Sequence, residues 1–289
     1  MTVFVVLLTV LLHFSKMLSI LWLEKILRGE KMLKIDRQTM IEQELMKKGS
    51  VLIPSLSELL HCSEETIRRD LKELESGGKL TRTHGGAYLM EKYDKSYPTK
   101  LRKVYYQDVK AKLAGRALDY VQENDVVMLD SSTTCLTLAE AMIARHISVT
   151  IITNSLLICD LCNEQATDIN LVCLGGTFRQ RTSSFTGYHT TDILSGYCAD
   201  RAFVSCPKLT LEQGLSDNHL GESKVREGML EHSHQKILLM DHTKFDASAN
   251  ILFRGFQNAD VLITDEPLSA AWEQSAQKSG LHLDYCPEL

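Results

Sequence analysis

Apolar residues recur along this chain with two periods, and the change of period divides it. Between residues 32 and 90 the period is helical. Met40, Ile41, Leu45 and Met46 supply a first helix stopped by Gly49, and Leu-Ser-Glu-Leu-Leu at 56–60 marks a short second helix opened by Ser55. Ile67, Leu71 and Leu74, at i, i+4 and i+7, mark a third. Ser63 is a good N-cap for it, and Glu64 and Glu65 suit the positive end of its dipole. His61 and Cys62 leave a turn of helix-turn-helix length between the second and third helices. Gly77 and Gly78 end the third helix. The segments 79–83 and 85–89 then read as two short strands of a hairpin with Arg82 and His84 near its tip.

Beyond residue 108 the pattern changes. After a helix near 108–122, short apolar strands are expected at 126–130, 149–153, 169–174, 202–206, 237–240 and 261–264, most of them separated by helical segments. Such alternation predicts a parallel sheet covered on both faces, with ligands gathering at the strand C-terminal ends. Residues 91–107 lose the period, carry Pro98 and a basic cluster of Lys100, Arg102 and Lys103, and read as a linker. The fold class expected is therefore α/β, an N-terminal winged helix-turn-helix domain over 32–90 followed by a mostly parallel, doubly wound α/β effector domain over 108–289.

Polar residues fall where each half needs them. Off the apolar stripe of the third helix lie Glu65, Thr66, Arg68, Arg69 and Lys72, which with Ser63 and with Lys79, Arg82 and His84 of the hairpin form a candidate face for double-stranded DNA. An arginine pairs with guanine edges in the major groove, threonine meets a thymine methyl, and lysines hold phosphates. The competing account is a solvated helix on which Arg68 and Arg69 pair with Glu64, Glu65 and Glu73. Net charge −5 and a pI near 6.1 lend that account support, but a recognition face needs local rather than net positive charge.

In the second half, Asp130, Ser131, Ser132, Thr133 and Thr134 end one strand and open a helix, a natural place for an anion. Thr153 and Asn154, Gly175 and Gly176 with Arg179 behind them, and Lys244 follow later strands, so together they outline a pocket. Isomerisation would need a general base in this pocket; Glu222 and Asp217 lie in a possible loop near Gly221, but nothing in the sequence ties either to the strand-end cluster.

Eight scattered cysteines fit a reducing cytosol better than a disulfide scaffold. Cys159 and Cys162 are formally a CxxC, yet they share a helical stretch and lack a second pair, so buried free thiols are expected and no metal or cofactor. Residues 1–31 stand apart as an apolar extension. They read as a membrane anchor, a signal peptide or a translated upstream region. No basic n-region or cleavage site favours the signal peptide, and His13 and Lys16 interrupt an anchor. Arg28-Gly29-Glu30 has codons that can spell a ribosome-binding sequence just ahead of Met32. A start at Met32, and hence a cytoplasmic protein with no membrane contact, is the reading preferred.

Glu65-Thr-Ile-Arg-Arg-Asp-Leu71 followed by Arg82-Thr-His-Gly-Gly-Ala87 resembles the N-terminal domain of the DeoR family of bacterial transcriptional regulators. The resemblance extends through Leu129-Asp-Ser-Ser-Thr-Thr134, Ile152-Thr-Asn-Ser155, Leu174-Gly-Gly-Thr177, Gly214-Leu-Ser216, Asp241-His-Thr-Lys-Phe245 and Ile263-Thr-Asp265. It implies a C-terminal domain similar to ribose-5-phosphate isomerase that binds a phosphorylated sugar effector, and a regulator, most simply a repressor, of carbohydrate-metabolism genes. A homo-oligomer is expected from paired half-sites. Ser132 stands where the family usually has glycine, and Cys206-Pro-Lys-Leu209 replaces a glycine-containing stretch, which puts the identity of the effector in question. Two alternatives remain open, a sugar-phosphate isomerase-like enzyme and a membrane-tethered regulator.

Overall fold

The computed structural model describes residues 32–89, 98–165 and 168–287. The anchor, signal-peptide and start-site readings of residues 1–31 lie outside these, as does the first part of the linker. Among the described residues no helix is long and apolar enough to cross a membrane. The chain divides into two compact units at Leu89 and Met90.

Among its described residues the first unit has three helices and three strands. Helix α1 (Lys34–Lys48) stops where Gly49 turns left-handed at φ 70 and its N–H returns to the Leu45 carbonyl at 2.7 Å. Strand β1 (Ser50–Leu52), helix α2 (Ile53–Leu59), helix α3 (Glu64–Ser76) and strands β2 (Thr81–Thr83) and β3 (Gly86–Tyr88) follow. Helix α2 begins two residues before the expected Ser55, because Pro54 in its first turn has no N–H to lose. The hairpin is a three-stranded sheet, since β1 joins it antiparallel to β3 in the order β1-β3-β2. Ile41, Leu45, Leu56, Ile67, Leu71 and Leu74 form the core as their spacing requires, whereas Met46 is 73% exposed and takes no part.

The second unit opens with a helix inside the segment read as linker, α4 (Thr99–Val104), which buries Leu101 completely. Helix α5 (Gln107–Ala117) leads to β4 (Val126–Leu129), α6 (Thr133–Ala144), β5 (Val149–Thr153), α7 (Leu156–Gln165) and β6 (Ile169–Cys173). A hairpin of β7 (Thr177–Arg179) and β8 (Ser184–Thr186), then α8 (Tyr188–Ser195), precede β9 (Ala199–Val204). The rest is β10 (Lys208–Thr210), β11 (Gly214–Asp217), α9 (Leu220–Glu231), β12 (Ser233–Leu239), β13 (Ile251–Arg254), β14 (Val261–Thr264), α10 (Ala270–Ser279) and β15 (His282–Tyr285).

Seven strands form one parallel sheet in the order β15-β14-β12-β9-β4-β5-β6. Alternate side chains go to opposite faces, as the period of two demands. Val127, Leu129, Ile151, Phe203 and Ile237 pack with α5, α6 and α7. Met128, Ile152, Val204 and Leu238 pack with α8, α9 and α10 around Trp272. Both faces are thus covered by helices, the doubly wound arrangement.

In the first unit the least exposed polar tie between α1 and α3 is part-buried, while Lys34 and Gln38 of α1 also reach Glu73 of α3 at the surface. The Arg37 guanidinium donates through Nε and Nη2 to the two oxygens of Asp70, which is 1% exposed. Removing one partner strands the other charge. Asp70→Ala should therefore lower the stability of the first unit by about 3–5 kcal/mol in urea unfolding followed by circular dichroism, while Arg69→Ala, on the exposed side of the same helix, should change it little.

Candidate functional site

On α3 the Ser63 hydroxyl caps the helix, accepting the Thr66 N–H at 3.3 Å and lying 2.9 Å from the Thr66 hydroxyl. Glu65, Arg68, Arg69 and Lys72 are exposed, Thr66 is half-buried, and His84 is exposed at the hairpin turn. Three of the candidate cations hold acids. Arg68 donates to Glu64 at 2.9 Å, Lys79 to Glu42 at 2.7 Å, and Arg82 to Glu75 at 2.8 Å. Solvent-exposed pairs of this kind are worth about 0–1 kcal/mol, so they yield readily to a phosphate or a base edge. The pairing account and the DNA account are therefore compatible on this face.

The second unit offers a crevice set by topology. Strand β4 is flanked by β5 on one side and β9 on the other, so the chain reverses its direction of sheet growth there, and ligands of open α/β sheets bind outside the strand ends at such a point. The Asp130 N–H crosses it to the Phe203 carbonyl at 3.4 Å. Ser132 caps α6 by accepting the Cys135 N–H at 3.0 Å, and Thr133 and Thr134 occupy the buried first turn. Across the crevice, Lys244 donates to the Ser205 hydroxyl at 2.6 Å and lies 3.4 Å from Asp241. Burial works to raise the Asp241 pKa, but Lys244 and the Thr243 hydroxyl hold it below the ordinary value.

Beneath this crevice lies an ionic cluster centred on Arg226. Its Nε donates to Asp130 at 2.6 Å and its Nη1 to Asp217, and Glu222 lies 3.9 Å away. Glu222 in turn accepts from Ser131 at 2.9 Å, Arg179 at 2.7 Å, Thr182 at 2.9 Å and Ser184 at 2.5 Å. Desolvation pushes the Glu222 pKa up, yet the Arg226 charge, the Ser184 hydrogen bond and Arg179 outweigh it and bring it down to about 2.

The expected effector residues therefore divide. Asp130, Ser131 and Arg179 converge on the Arg226–Glu222 pair, and Lys244 flanks the crevice. Thr153 braces the loops by donating to the Leu129 carbonyl at 2.7 Å and accepting the Ser155 N–H at 3.1 Å. Asn154 holds the β7–β8 hairpin through the Phe185 carbonyl at 2.9 Å, but its Oδ1 is buried with no partner among the described residues. Gly175 and Gly176 have positive φ, and a Cβ at Gly176 would meet the Thr190 hydroxyl at 2.0 Å, so this turn is shaped for packing.

Three features missed by the sequence reading belong here: Arg226, the Thr182 and Ser184 hydroxyls, and the ties of Asp217 and Glu222. Glu222 is on helix α9 and Asp217 ends strand β11, so neither lies in a loose loop, and both are bound into the strand-end cluster after all. The signal was a charged pair at i, i+4 on a helix whose neighbours Val225, Met229 and Leu230 are apolar. Cys159 and Cys162 are free thiols, and burial raises both pKa values, that of Cys159 to about 12.

Glu222 titrates near pH 2 in the fold against an ordinary 4.5, so its contribution is complete above about pH 4.5 and is lost as pH falls through about 2. Urea unfolding of the second unit should lose about 3 kcal/mol across that window, and Glu222→Gln should flatten this acid limb.

The DeoR-like helix-turn-helix domain family matches residues 37–93, and the DeoR C terminal sensor domain family matches residues 106–266. The HTH-type transcriptional regulator IolR of Bacillus subtilis (strain 168) is 29% identical over 255 residues, spanning 87% of this chain and 100% of the relative. The uncharacterized HTH-type transcriptional regulator YulB of the same organism is 32% identical over 83% of this chain and 92% of its own length. The L-fucose operon activator of Escherichia coli (strain K12) is 30% identical over 81% of this chain and 96% of its own. A solved structure of ribose 5-phosphate isomerase A from Methanocaldococcus jannaschii overlays 48% of this chain on 54% of that chain, at 19% identity and a TM-score of 0.36. With the sensor-domain match alone covering more than half of its residues, the chain belongs to the DeoR family and is a DNA-binding transcriptional regulator.

Proposed function

We propose that the protein is a cytoplasmic repressor of carbohydrate-metabolism genes that binds operator DNA as a homo-oligomer through α3 and the β2–β3 wing. A phosphorylated sugar bound at the strand ends of the second unit controls it. The arrangement of the crevice carries the effector half of this reading: the N-terminus of α6 lies on one side of a topological switch point, and Lys244, held on Ser205, flanks the other. The unpartnered Asn154 Oδ1 supports a ligand with hydroxyls, because a buried acceptor left unmade costs about 1–3 kcal/mol. The carbohydrate assignment is supported by relatives named for the L-fucose operon and, as a putative repressor at 29% identity, for the aga operon of Escherichia coli O157:H7. In this reading Asp130 orients a sugar hydroxyl from its place on Arg226, and α4 belongs to the effector body, which then begins ahead of residue 108.

Replacing both Arg68 and Arg69 by alanine should abolish sequence-specific operator binding, each lost contact being worth about 1–3 kcal/mol, and leave the melting curve intact because both side chains are exposed. Footprinting at matched salt is the check, and a double mutant that keeps its footprint removes the recognition-helix assignment.

Lys244→Ala should weaken binding of phosphorylated sugars in calorimetric titrations by about tenfold or more and leave operator affinity without effector nearly unchanged. A variant with unaltered effector response would move the phosphate site elsewhere.

A further inference from the structure

The charges around Arg226 balance. Arg102, Arg179 and Arg226 stand among Asp130, Asp217 and Glu222. Next to this cluster cations gather. Lys110 and Lys244 are electrostatic neighbours, and Lys208 donates to the Thr243 carbonyl at 2.7 Å, in the same loop as Lys244. Asp241 acts on Lys110 and pairs with Lys244, while the hydrogen bond of Lys208 goes to a neutral carbonyl. Ammonium groups gathered at one loop suit the charge of a phosphomonoester near neutral pH. The Lys110 pKa is pushed down to about 8, by burial first and then by Lys244 and Arg102, a repulsion that an anion among them would relieve.

Lys110 already has acceptors of another kind. From the first turns of α5 its ammonium donates to the Arg102 carbonyl at 2.5 Å and to the Tyr105 carbonyl, so it ties off the last turn of α4. A helix of six residues is far too short to persist alone. It is held by buried Leu101, by the Thr99 N–H on the Arg181 carbonyl at 2.9 Å, and by Lys110. Tyr106, left-handed at φ 48, turns the chain between α4 and α5 and sets its ring edge-on to His242 at 5.7 Å, two residues before Lys244. The corner that carries Lys110 is thereby packed on the loop that carries Lys244.

We infer that Lys110 and Lys208 join Lys244 in binding the phosphate of the effector, and that Lys110 reaches it by releasing the α4 carbonyls, so that this helix loosens when effector binds. The inference rests on the strand-end reading of the effector site. Its consequence is that the first described helix after the DNA-binding unit answers the ligand directly.

The test is hydrogen exchange of the full-length protein titrated with inorganic phosphate, the moiety common to all sugar phosphates, at constant ionic strength. The melting temperature should rise with phosphate, and the amides of Leu101, Arg102 and Tyr105, which close α4, should exchange faster. Lys110→Met and Lys208→Met should each weaken phosphate binding about tenfold or more, Lys110→Arg should retain most of it, and Lys110→Met should show fast α4 exchange with or without phosphate. The wild-type exchange experiment stands even if a variant fails to fold. Binding that is lost in Lys244→Ala while wild-type α4 exchange stays constant or slows overturns this inference alone. So does full phosphate affinity in a folded Lys110→Met. No binding at millimolar phosphate, or binding indifferent to Lys244→Ala, overturns the effector-site reading and this inference with it.

Discussion

The second unit is organised around one buried guanidinium. Arg226, 4% exposed, lies among the loop after β4 through Asp130, the end of β11 through Asp217, and its own helix through Glu222. Glu222 then gathers Ser131, Thr182, Ser184 and Arg179, which brings the β7–β8 hairpin to the same point. Charges so far from water are costly unless each is paired and hydrogen-bonded, and the loss of any one partner leaves another uncompensated. The loops at the strand ends therefore have little freedom to move independently. A crevice whose walls share one ionic centre is preorganised for a ligand before the ligand arrives.

The same cluster decides what its carboxylates can do chemically. Proton transfer at neutral pH requires a base whose pKa lies near the working pH and whose lone pairs can reach substrate. Glu222 and Asp217 are the carboxylates near Gly221 that the sequence offers for that task. With its pKa near 2 and its oxygens engaged by two serines, a threonine and an arginine, Glu222 is a poor proton acceptor and a good anchor. Its negative charge keeps Arg179 and Arg226 in place, and the hydroxyls that would face a substrate face Glu222 instead. The group that resembles a base by type is thus an architectural carboxylate by environment.

What the sequence made legible follows the range of the physics involved. The spacing of Ile67, Leu71 and Leu74, the cap at Ser63 and the left-handed stop at Gly49 are local, and helices α1 and α3 follow from them. Strands β5 and β14 match the expected 149–153 and 261–264, since runs of branched apolar residues buried on both faces have few other uses. Strand β1 is three residues long and is defined by its partner β3, so no local period announces it. Strand β15 is a four-residue edge strand, His-Leu-Asp-Tyr, with one buried position and that one an aspartate, so no apolar run announces it. Helix α4 has a short basic sequence and depends on contacts made elsewhere in the chain. The strand-end residues were legible by position, but their division into ligand-facing and load-sharing groups was not. Arg226 is separated by 96 residues from Asp130, and Ser131 by 91 from Glu222.

That division has a consequence for how a regulator of this fold is coupled. An effector shifts an equilibrium only through contacts that differ between the two states. Groups locked around Arg226 have little freedom to change partners, so in the proposed reading they would contribute affinity and specificity rather than coupling. The difference must come from a group with two alternative partners of similar strength. Lys110 meets that condition: its partners are neutral carbonyls at the end of a helix too short to stand alone, and its neighbours are cations that oppose its own charge. A charge-assisted bond to phosphate is stronger than one to a carbonyl. In the proposed reading the rigid centre and the exchangeable lysine are complementary parts, one holding the crevice in shape and the other giving its occupancy a structural effect on the first described helix after the DNA-binding unit.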